Sequence, residues 1–507
     1  MVLASVDFGA TWDERARHLN GQRIWEFYAG VRERWSFIED GGHLYGGVFD
    51  VLCVAVERWL PLDRHVLRHG VNAVVGWIGM IYCGRLAARL FGTWSGVLAL
   101  VMLAASPRYF ADSMNNPKDL PFATTTIAAL YYFSTIAPTW PYITRATGSK
   151  IAVALALGLN IRPGALLYLG YFGLLVTGFA LVEYYERQVN WRQLADTAAR
   201  IALVAVAVLL LGTLFWPWAQ GAPLTRPIEA LFNVANYEGY RGGVLFNGYD
   251  YEPDRLPRYY VPVFFLISTP PVVIAGVILS MFVSRSRRWT LSRNALWTVA
   301  AVPVLLAILM GSTLYDGLRH VLFIIPVLVV LAAAGWTGLL FGWTGSWLGR
   351  SAAIVLLAAG VVHAIASTVR FHPHQTAYFN ELVGGPRGAV ARFDLDYWGN
   401  CFLEAVAWSA RTARLSGRPI TVSGYPAHLV EDNAARFPQL VFIPPAEQRH
   451  ALTVRLNRGV AKEVAALATD ARALYRVRTA DGAALCVVLP GPAFAELQPY
   501  LRIAPDP

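Results

Sequence analysis

Charge is scarce in this chain of 507 residues: only 15% are Asp, Glu, Lys or Arg, against about 25% in an ordinary soluble domain. That shortage excludes a soluble globule. Cysteine is scarcer still. Cys53, Cys83, Cys401 and Cys486 are the four, and their spacing excludes a thiolate metal site. Cys401 and Cys486 could share an oxidising compartment, where a disulfide is allowed, but two unpaired small hydrophobes are the favoured reading. Internal repeats and low-complexity tracts are absent. No cleavable leader is expected, because Asp7 and Asp13 follow Met1 with no apolar core between them. No basic stripe with interleaved aromatics stands outside the apolar segments, so the net charge of +10 is not assigned to nucleic acid.

What the chain has is apolar length. Val71–Leu90, Trp94–Ser106, Leu120–Ile136, Ile151–Asn160, Ala165–Tyr184, Ala199–Trp218, Tyr259–Val283, Ala295–Thr313, Val321–Gly342 and Ala352–Val369 are apolar runs near the length that crosses a bilayer. In lipid the backbone must satisfy its own hydrogen bonds, so each run is expected to be helical. Runs that are short or end in Gly or Pro are expected to be tilted or broken. Alternating the sides puts Arg85/Arg89, Arg145/Lys150, Arg187/Arg192/Arg200, Arg285/Arg287/Arg288 and Arg350 on one face. Short basic loops mark that face as cytoplasmic. Residues 1–69, Pro107–Asp119, Arg162–Pro163, the Pro217–Arg258 loop, Tyr315–His320 and Phe371–Pro507 then lie outside.

The chain after Arg370 changes character. Strands are expected at Ile420–Gly424, Leu440–Ile443, Leu474–Val477 and Cys486–Leu489, and helices at Cys401–Leu415, His428–Phe437 and Val460–Ala468, a pattern that suggests a small α/β domain. The expected organisation is a first extracytoplasmic segment over residues 1–69, a transmembrane helical domain over 70–370, and a C-terminal extracytoplasmic α/β domain over 371–507.

Polar residues able to do chemistry gather on the outer ends of the spans. Asp13 and Glu14 sit beside Trp12; read alone, they fit a solvated helix start, where acidic residues favour the positive end. Lys118 and Asp119 stand at a span boundary, where a snorkelling lysine and a residue just before Pro121 in the first helical turn also explain them. Arg162 lies between two apolar runs, costly unless it faces a cavity. Arg258 follows an aromatic stretch that fits an interfacial belt. Arg319 and His320 open another span, and His320 is expected to be a hydrogen-bonded core residue. His18, His320, His363, His372 and His374 offer no i, i+4 pair on one helix, so a zinc site is not expected.

Taken together, these groups resemble the membrane glycosyltransferases of the GT-C superfamily, in the protein O-mannosyltransferase-like branch (glycosyltransferase family 39-like) that includes the lipid A aminoarabinose transferases. The matching text is Asp13-Glu14, Pro117-Lys118-Asp119-Leu120-Pro121-Phe122, Ile161-Arg162-Pro163 and Leu318-Arg319-His320 followed by Pro326. His372 to Gln375, Tyr378-Phe379-Asn380, Gly384-Gly385 and Asp396-Tyr397-Trp398-Gly399 also look like bacterial members. One departure stands out. Family members begin with a transmembrane helix that delivers the Asp-Glu loop, whereas here only Met1–Ala10 precede it; the expectation is either that the natural start lies further upstream or that this helix is lacking.

The resemblance implies an all-α polytopic membrane protein with about 10–11 transmembrane helices and a small C-terminal α/β extracytoplasmic domain. It implies a sugar transferred from a polyprenyl-phosphate donor to an extracytoplasmic lipid, glycan or protein hydroxyl, with inversion, at a bacterial inner membrane. Asp13 is the expected base, with Glu14 and Asp119 as further catalytic candidates. Lys118, Arg162, Arg258, Arg319 and His320 are the candidates for binding the donor phosphate, because a lipid phosphate leaves well if its charge is met by cations. No cofactor is required, though a divalent metal near Asp13 or Asp119 is allowed. Two rival readings are a transporter or flippase of a lipid-linked sugar, which would often carry internal repeats, and an inactive scaffold. The last would gain if Asp13 and Asp119 did not converge.

Overall fold

A computed structural model of the chain describes all residues except 35, 40–41, 137–141, 187–188, 236–239, 241, 344 and 506–507. Arg187 and part of the Pro217–Arg258 loop therefore lie outside the described residues. The protein is mostly helical, with one small sheet near its C-terminus. Among the described residues, five helices are long and apolar enough to cross a membrane: Arg64–Phe91, Trp191–Gly212, Arg287–Leu309, Arg319–Gly342 and Trp347–Arg370. Shorter apolar helices accompany them at Thr93–Ala104, Ala165–Gly178 and Pro271–Phe282.

These helices sort by what surrounds them. Within the Arg319–Gly342 stretch, Val321–Gly338 are buried without a break. Its Ala332, Ala333 and Ala334 are fully enclosed, and small side chains of this kind let neighbouring helices approach closely. Ser95 and Thr337 hydroxyls meet at 2.6 Å, and Trp336 Nε1 donates to the Val272 carbonyl at 2.9 Å. The Trp191–Gly212, Arg287–Leu309 and Trp347–Arg370 helices instead show their apolar residues outward. Leu203 is 70% exposed, Leu309 80% and Val355 65%. In water such surfaces would be a liability, whereas in lipid they are the expected outside of a multi-pass membrane protein.

Three expected spans differ from their sequence reading. Ala199–Trp218 is helical only as far as Gly212, with Pro217 opening a separate short helix. Tyr259–Val283 is two helices, Tyr260–Ser268 and Pro271–Phe282. Pro270 and Pro271 explain the break, since proline disfavours a helical conformation at the residue before it. Val321–Gly342 opens as a 3₁₀ turn, Arg319–Ile324, before Pro326 starts the α-helix proper at Ile325–Gly338. The described part of the Pro217–Arg258 loop contains a hairpin, β1 (Val244–Phe246) and β2 (Tyr249–Tyr251). Its two-residue turn is Asn247-Gly248, both at positive φ, the conformation that favours Asn-Gly.

The C-terminal sheet has five strands: β3 (Ile420–Tyr425), β4 (Leu440–Phe442), β5 (Leu452–Leu456), β6 (Tyr475–Arg478) and β7 (Ala484–Pro490), in the order β4-β3-β5-β7-β6. β3 runs parallel to β4 and β5, while β7 is antiparallel to both β5 and β6. The helices Phe402–Ser416, Ala427–Ala434 and Ala461–Thr469 match the expected ones within two to three residues. β5 was not expected, although Leu452, Val454 and Leu456 alternate along it with exposed or half-buried neighbours. The reading of Cys401 and Cys486 as unpaired is corrected. They form a disulfide with Cα atoms 5.9 Å apart, an ordinary span for such a bond, which ties the start of the Phe402–Ser416 helix to β7.

Candidate active site

Three helix starts meet at one place. Asp13 precedes the Glu14–Tyr28 helix, Lys118 precedes the Asp119–Ser134 helix, and Arg319 opens the central buried stretch. Asp13 stands at an N-cap position, yet its side chain caps nothing. It turns instead to Arg319, whose Nη2 donates to Asp13 Oδ2 at 2.5 Å. Lys118 Nζ lies 4.0 Å from the same oxygen and over the Tyr45 ring at 4.4 Å. Arg319 also donates from Nε to Asp119 Oδ2 at 3.3 Å and from Nη1 to Asp316 Oδ2 at 3.0 Å. Arg162 pairs with the other Asp119 oxygen. Arg162 is thus buried and paired, not part of a surface turn.

The cluster is graded in exposure. Asp119 is 2% exposed and Asp13 is 21% exposed, with Lys118 between them at 12%. Asp13 and Lys118 therefore form the accessible edge, and Asp119 is the buried anchor that orients two guanidinium groups. Burial alone would raise the Asp13 carboxyl, but Arg319 and Lys118 together hold it below the usual carboxylate range. Burial and the neighbouring arginines bring the Lys118 ammonium down to about 7, against the pull of Asp13. Lys118 is one of only three lysines in the chain, with Lys150 and Lys462, a rarity that could have singled it out from sequence.

The C-terminal region completes the site. The Arg319 guanidinium lies 4.5 Å from the centroid of the Trp398 ring, a cation–π contact. Arg458, in the segment after β5, reaches Asp316 at 2.5 Å and the Tyr240 hydroxyl at 2.6 Å, with Asp394 at 3.6 Å. Asp394 itself is raised by burial to about 6. The loop carrying Asp13 is held by the same region. Gly9 N–H donates to Asn400 at 3.1 Å, Ala10 N–H to Asn433 at 3.0 Å, and Trp12 N–H to the Trp398 carbonyl at 3.1 Å. A Cβ on Gly9 would lie 2.5 Å from Leu403, so this close approach requires glycine.

Two expected site residues, Glu14 and Arg258, stand apart, and a third, His320, borders the cluster without bonding to it. Glu14, grouped with Asp13 as a catalytic candidate, points the other way. Its Oε1 accepts from Thr11 N–H and Oγ1 at 3.0 and 2.6 Å and meets His69 Nε2 at 2.9 Å, while Oε2 meets His65 Nδ1 at 2.8 Å. At 2% exposure, with both oxygens engaged, it is a structural clamp. His65 and His69 are an i, i+4 pair on one helix, which the reading of the other histidines passed over. Arg258 is exposed and outside the cluster. His320 packs edge-on against Tyr315 at 4.5 Å, and its Nδ1 has no hydrogen-bond partner, so it is not the hydrogen-bonded residue expected. Asp13 and Asp119 face guanidinium groups, a donor set already matched by positive charge, and it does not fit a divalent ion in this arrangement. Among the described residues no cluster of three or more His, Cys, Asp or Glu has a metal-holding arrangement.

These features define a multi-pass helical membrane protein with a charge-dense cluster at three helix starts and a small C-terminal α/β region. The comparisons agree with that class. The model of the dolichyl-phosphate-mannose-protein mannosyltransferase family matches residues 69–212. The structure of ArnT from Cupriavidus metallidurans in the apo state superposes with a TM-score of 0.50 at 14% identity, covering 100% of this chain and 97% of that one. The same protein bound to undecaprenyl phosphate gives a TM-score of 0.49 at 14% identity over 96% and 95% of the two chains. The archaeal oligosaccharyltransferase AglB from Archaeoglobus fulgidus, in complex with an inhibitory peptide and a dolichol-phosphate, gives 0.43 at 12% identity over 82% of this chain and 61% of that one. No curated protein matches the chain. The chain thus resembles the GT-C membrane glycosyltransferases and shares their fold.

Proposed function

We propose that this protein transfers a hexosyl or pentosyl group from a polyprenyl-phosphate donor to an acceptor hydroxyl on the extracytoplasmic face of a bacterial inner membrane. The observation that carries the reading is the shared grip on Arg319: Asp13 and Asp119, 106 residues apart in the sequence, both bond the one guanidinium. The convergence that an inactive scaffold would lack is present. The family match and the ArnT-like fold support a lipid-linked donor, because ArnT was crystallised with undecaprenyl phosphate. The Cys401–Cys486 disulfide supports an oxidising, non-cytosolic side for the pocket, since such bonds are rare in the cytosol.

The chemistry follows from the grading of the pocket. Lys118 and Arg319 receive the donor phosphate, with Arg319 held in place by Asp119, Asp316 and Trp398. The acceptor hydroxyl attacks the anomeric carbon from the side opposite the phosphate and inverts it. The new bond joins the acceptor oxygen to that carbon, the bond to the phosphate oxygen breaks, and the proton passes to Asp13. Facing Arg319 and Lys118 alone, Asp13 is a weak base, because the two cations stabilise its anion. A phosphate that shares those two cations withdraws part of that stabilisation, so Asp13 becomes more basic when the donor is seated. The charge left on the lipid phosphate is met by groups already in position, which is the largest source of rate in such sites.

The test is incubation of purified protein with a panel of polyprenyl-phosphate sugars and membrane extract, followed by mass spectrometry. Product with an inverted linkage and free lipid phosphate is expected. No transfer from any donor, with intact folded protein, contradicts the reading.

A further inference from the structure

Trp12, the residue before Asp13, is also one wall of an open groove of about 580 Å³, within the size range of small-molecule sites. The opposite wall belongs to the C-terminal sheet. Tyr425, at the end of β3, is 72% exposed, and Phe442 ends β4. His428 meets Trp12 edge-to-face at 5.5 Å. Burial and Arg15 keep His428 below its ordinary value, so its ring is neutral at pH 7. The charged groups lining the groove are Arg15 and Glu431, paired at 2.8 Å with side chains 34% and 47% exposed. Asp432 fixes Arg15 from behind, at 2.6 Å.

The groove thus offers ring faces together with a donor and acceptor pair. A pyranose is the complement: its C–H faces are apolar and slightly positive, suited to the negative face of an aromatic ring, and its hydroxyls suit an Arg and a carboxylate. An extended peptide is the poorer fit. β4 is the edge strand of the sheet, three residues long, and Pro444 and Pro445 follow it closely. Proline has no N–H to give to an added strand. The groove lies near Asp13: Trp12 in its wall is the preceding residue, pinned to the Trp398 carbonyl, and the Asp13 carboxylate is close enough to act on the charge of His428 in the groove.

We propose that this groove is the acceptor subsite and that a saccharide chain occupies it, stacked on Tyr425 and Trp12 with its hydroxyls on Arg15 and Glu431. The proposal rests on the sugar-transfer reading and narrows its acceptor to a carbohydrate. It is tested on the full chain in detergent micelles by saturation-transfer NMR with short chito-, manno- and malto-oligosaccharides and a proline-rich peptide. Undecaprenyl phosphate binding is measured in parallel. At least one oligosaccharide is expected to receive saturation at its ring C–H protons. Tyr425→Ala should weaken that binding about tenfold, the worth of one good aromatic contact, and leave undecaprenyl phosphate binding unchanged. Glu431→Gln, on an exposed side chain, should weaken it to a lesser degree. Saturation of the peptide alone, of no oligosaccharide, or equally in wild type and Tyr425→Ala overturns the groove assignment. Loss of undecaprenyl phosphate binding in the wild type would instead strike the transferase reading, and the two failures are read separately.

Discussion

Asp13 is 21% exposed between Lys118 and Arg319, whereas Glu14, the next residue, is 2% exposed and clamped by His65, His69 and Thr11. The two carboxylates leave the same helix start in opposite directions. Glu14 has every oxygen committed to fixed partners, which is the pattern of a buried polar group that holds structure. Asp13 has cations on one side and an opening on the other. On the proposed reading, a working carboxylate is distinguished from a structural one less by its type or its motif than by whether a partner could be exchanged for substrate. The same contrast runs through the cluster, with Asp119 as anchor and Lys118 at the accessible edge.

The sharpest way to separate anchor from edge is Asp119→Ala. It strands Arg162 as a buried unpaired charge and takes one of three carboxylate partners from Arg319, which costs about 3–5 kcal/mol of stability; detergent or denaturant titration should show a loss of that size, with activity falling alongside. Asp13→Asn should do the reverse. Turnover is expected to fall at least ~100-fold, the typical worth of a positioned base, with an unfolding midpoint close to wild type.

Glu14→Gln breaks the comparison from the other side. It places an amide donor against His65, His69 and Thr11, and we expect a stability loss of about 1–3 kcal/mol with turnover per folded molecule retained. The pH dependence gives the sign. Burial opposes ionisation of Glu14, but His69 and His65 hold its carboxyl well below the ordinary range. Its stabilisation is therefore present above the unfolded value of about 4.3 and lost as pH falls through the folded value. That acid limb should flatten in Glu14→Gln.

The smallest effect concerns Lys118. With its ammonium brought down to about 7, it is cationic below that pH and loses its charge above it. The kcat/KM for donor, which reports the free enzyme, should then fall up to about tenfold per unit above pH 7. Lys118→Arg, which stays charged throughout, should remove that limb.

Much of this was legible in the sequence, and the exceptions have physical causes. Five of the ten apolar runs fall on helices long and apolar enough to cross a membrane among the described residues, because lipid demands uninterrupted apolar length; Tyr259–Val283 is interrupted at Pro270-Pro271, which hydropathy does not register. Asp13, Lys118, Asp119, Arg162 and Arg319 were named from the family motif and are brought together. Arg258 was named only as a cation following an aromatic stretch, outside the motif, and it is exposed and away from the cluster. Arg458 was missed: a single arginine after a short strand carries no local sign that it will pair with Asp316, 142 residues earlier. Trp398 was noted only as text, since a ring beneath a distant guanidinium leaves no spacing to read. The His65–His69 pair was available at i, i+4 and explains why Glu14 is not free.

The most direct test sets undecaprenyl-phosphate sugar against wild type and Asp13→Asn in a single turnover, following donor binding and lipid phosphate release together. Both proteins are predicted to bind donor, through Lys118 and Arg319, and only the wild type to release lipid phosphate at an appreciable rate. Release by Asp13→Asn at the wild-type rate, or donor binding that survives Lys118→Ala and Arg319→Ala together, would contradict the account.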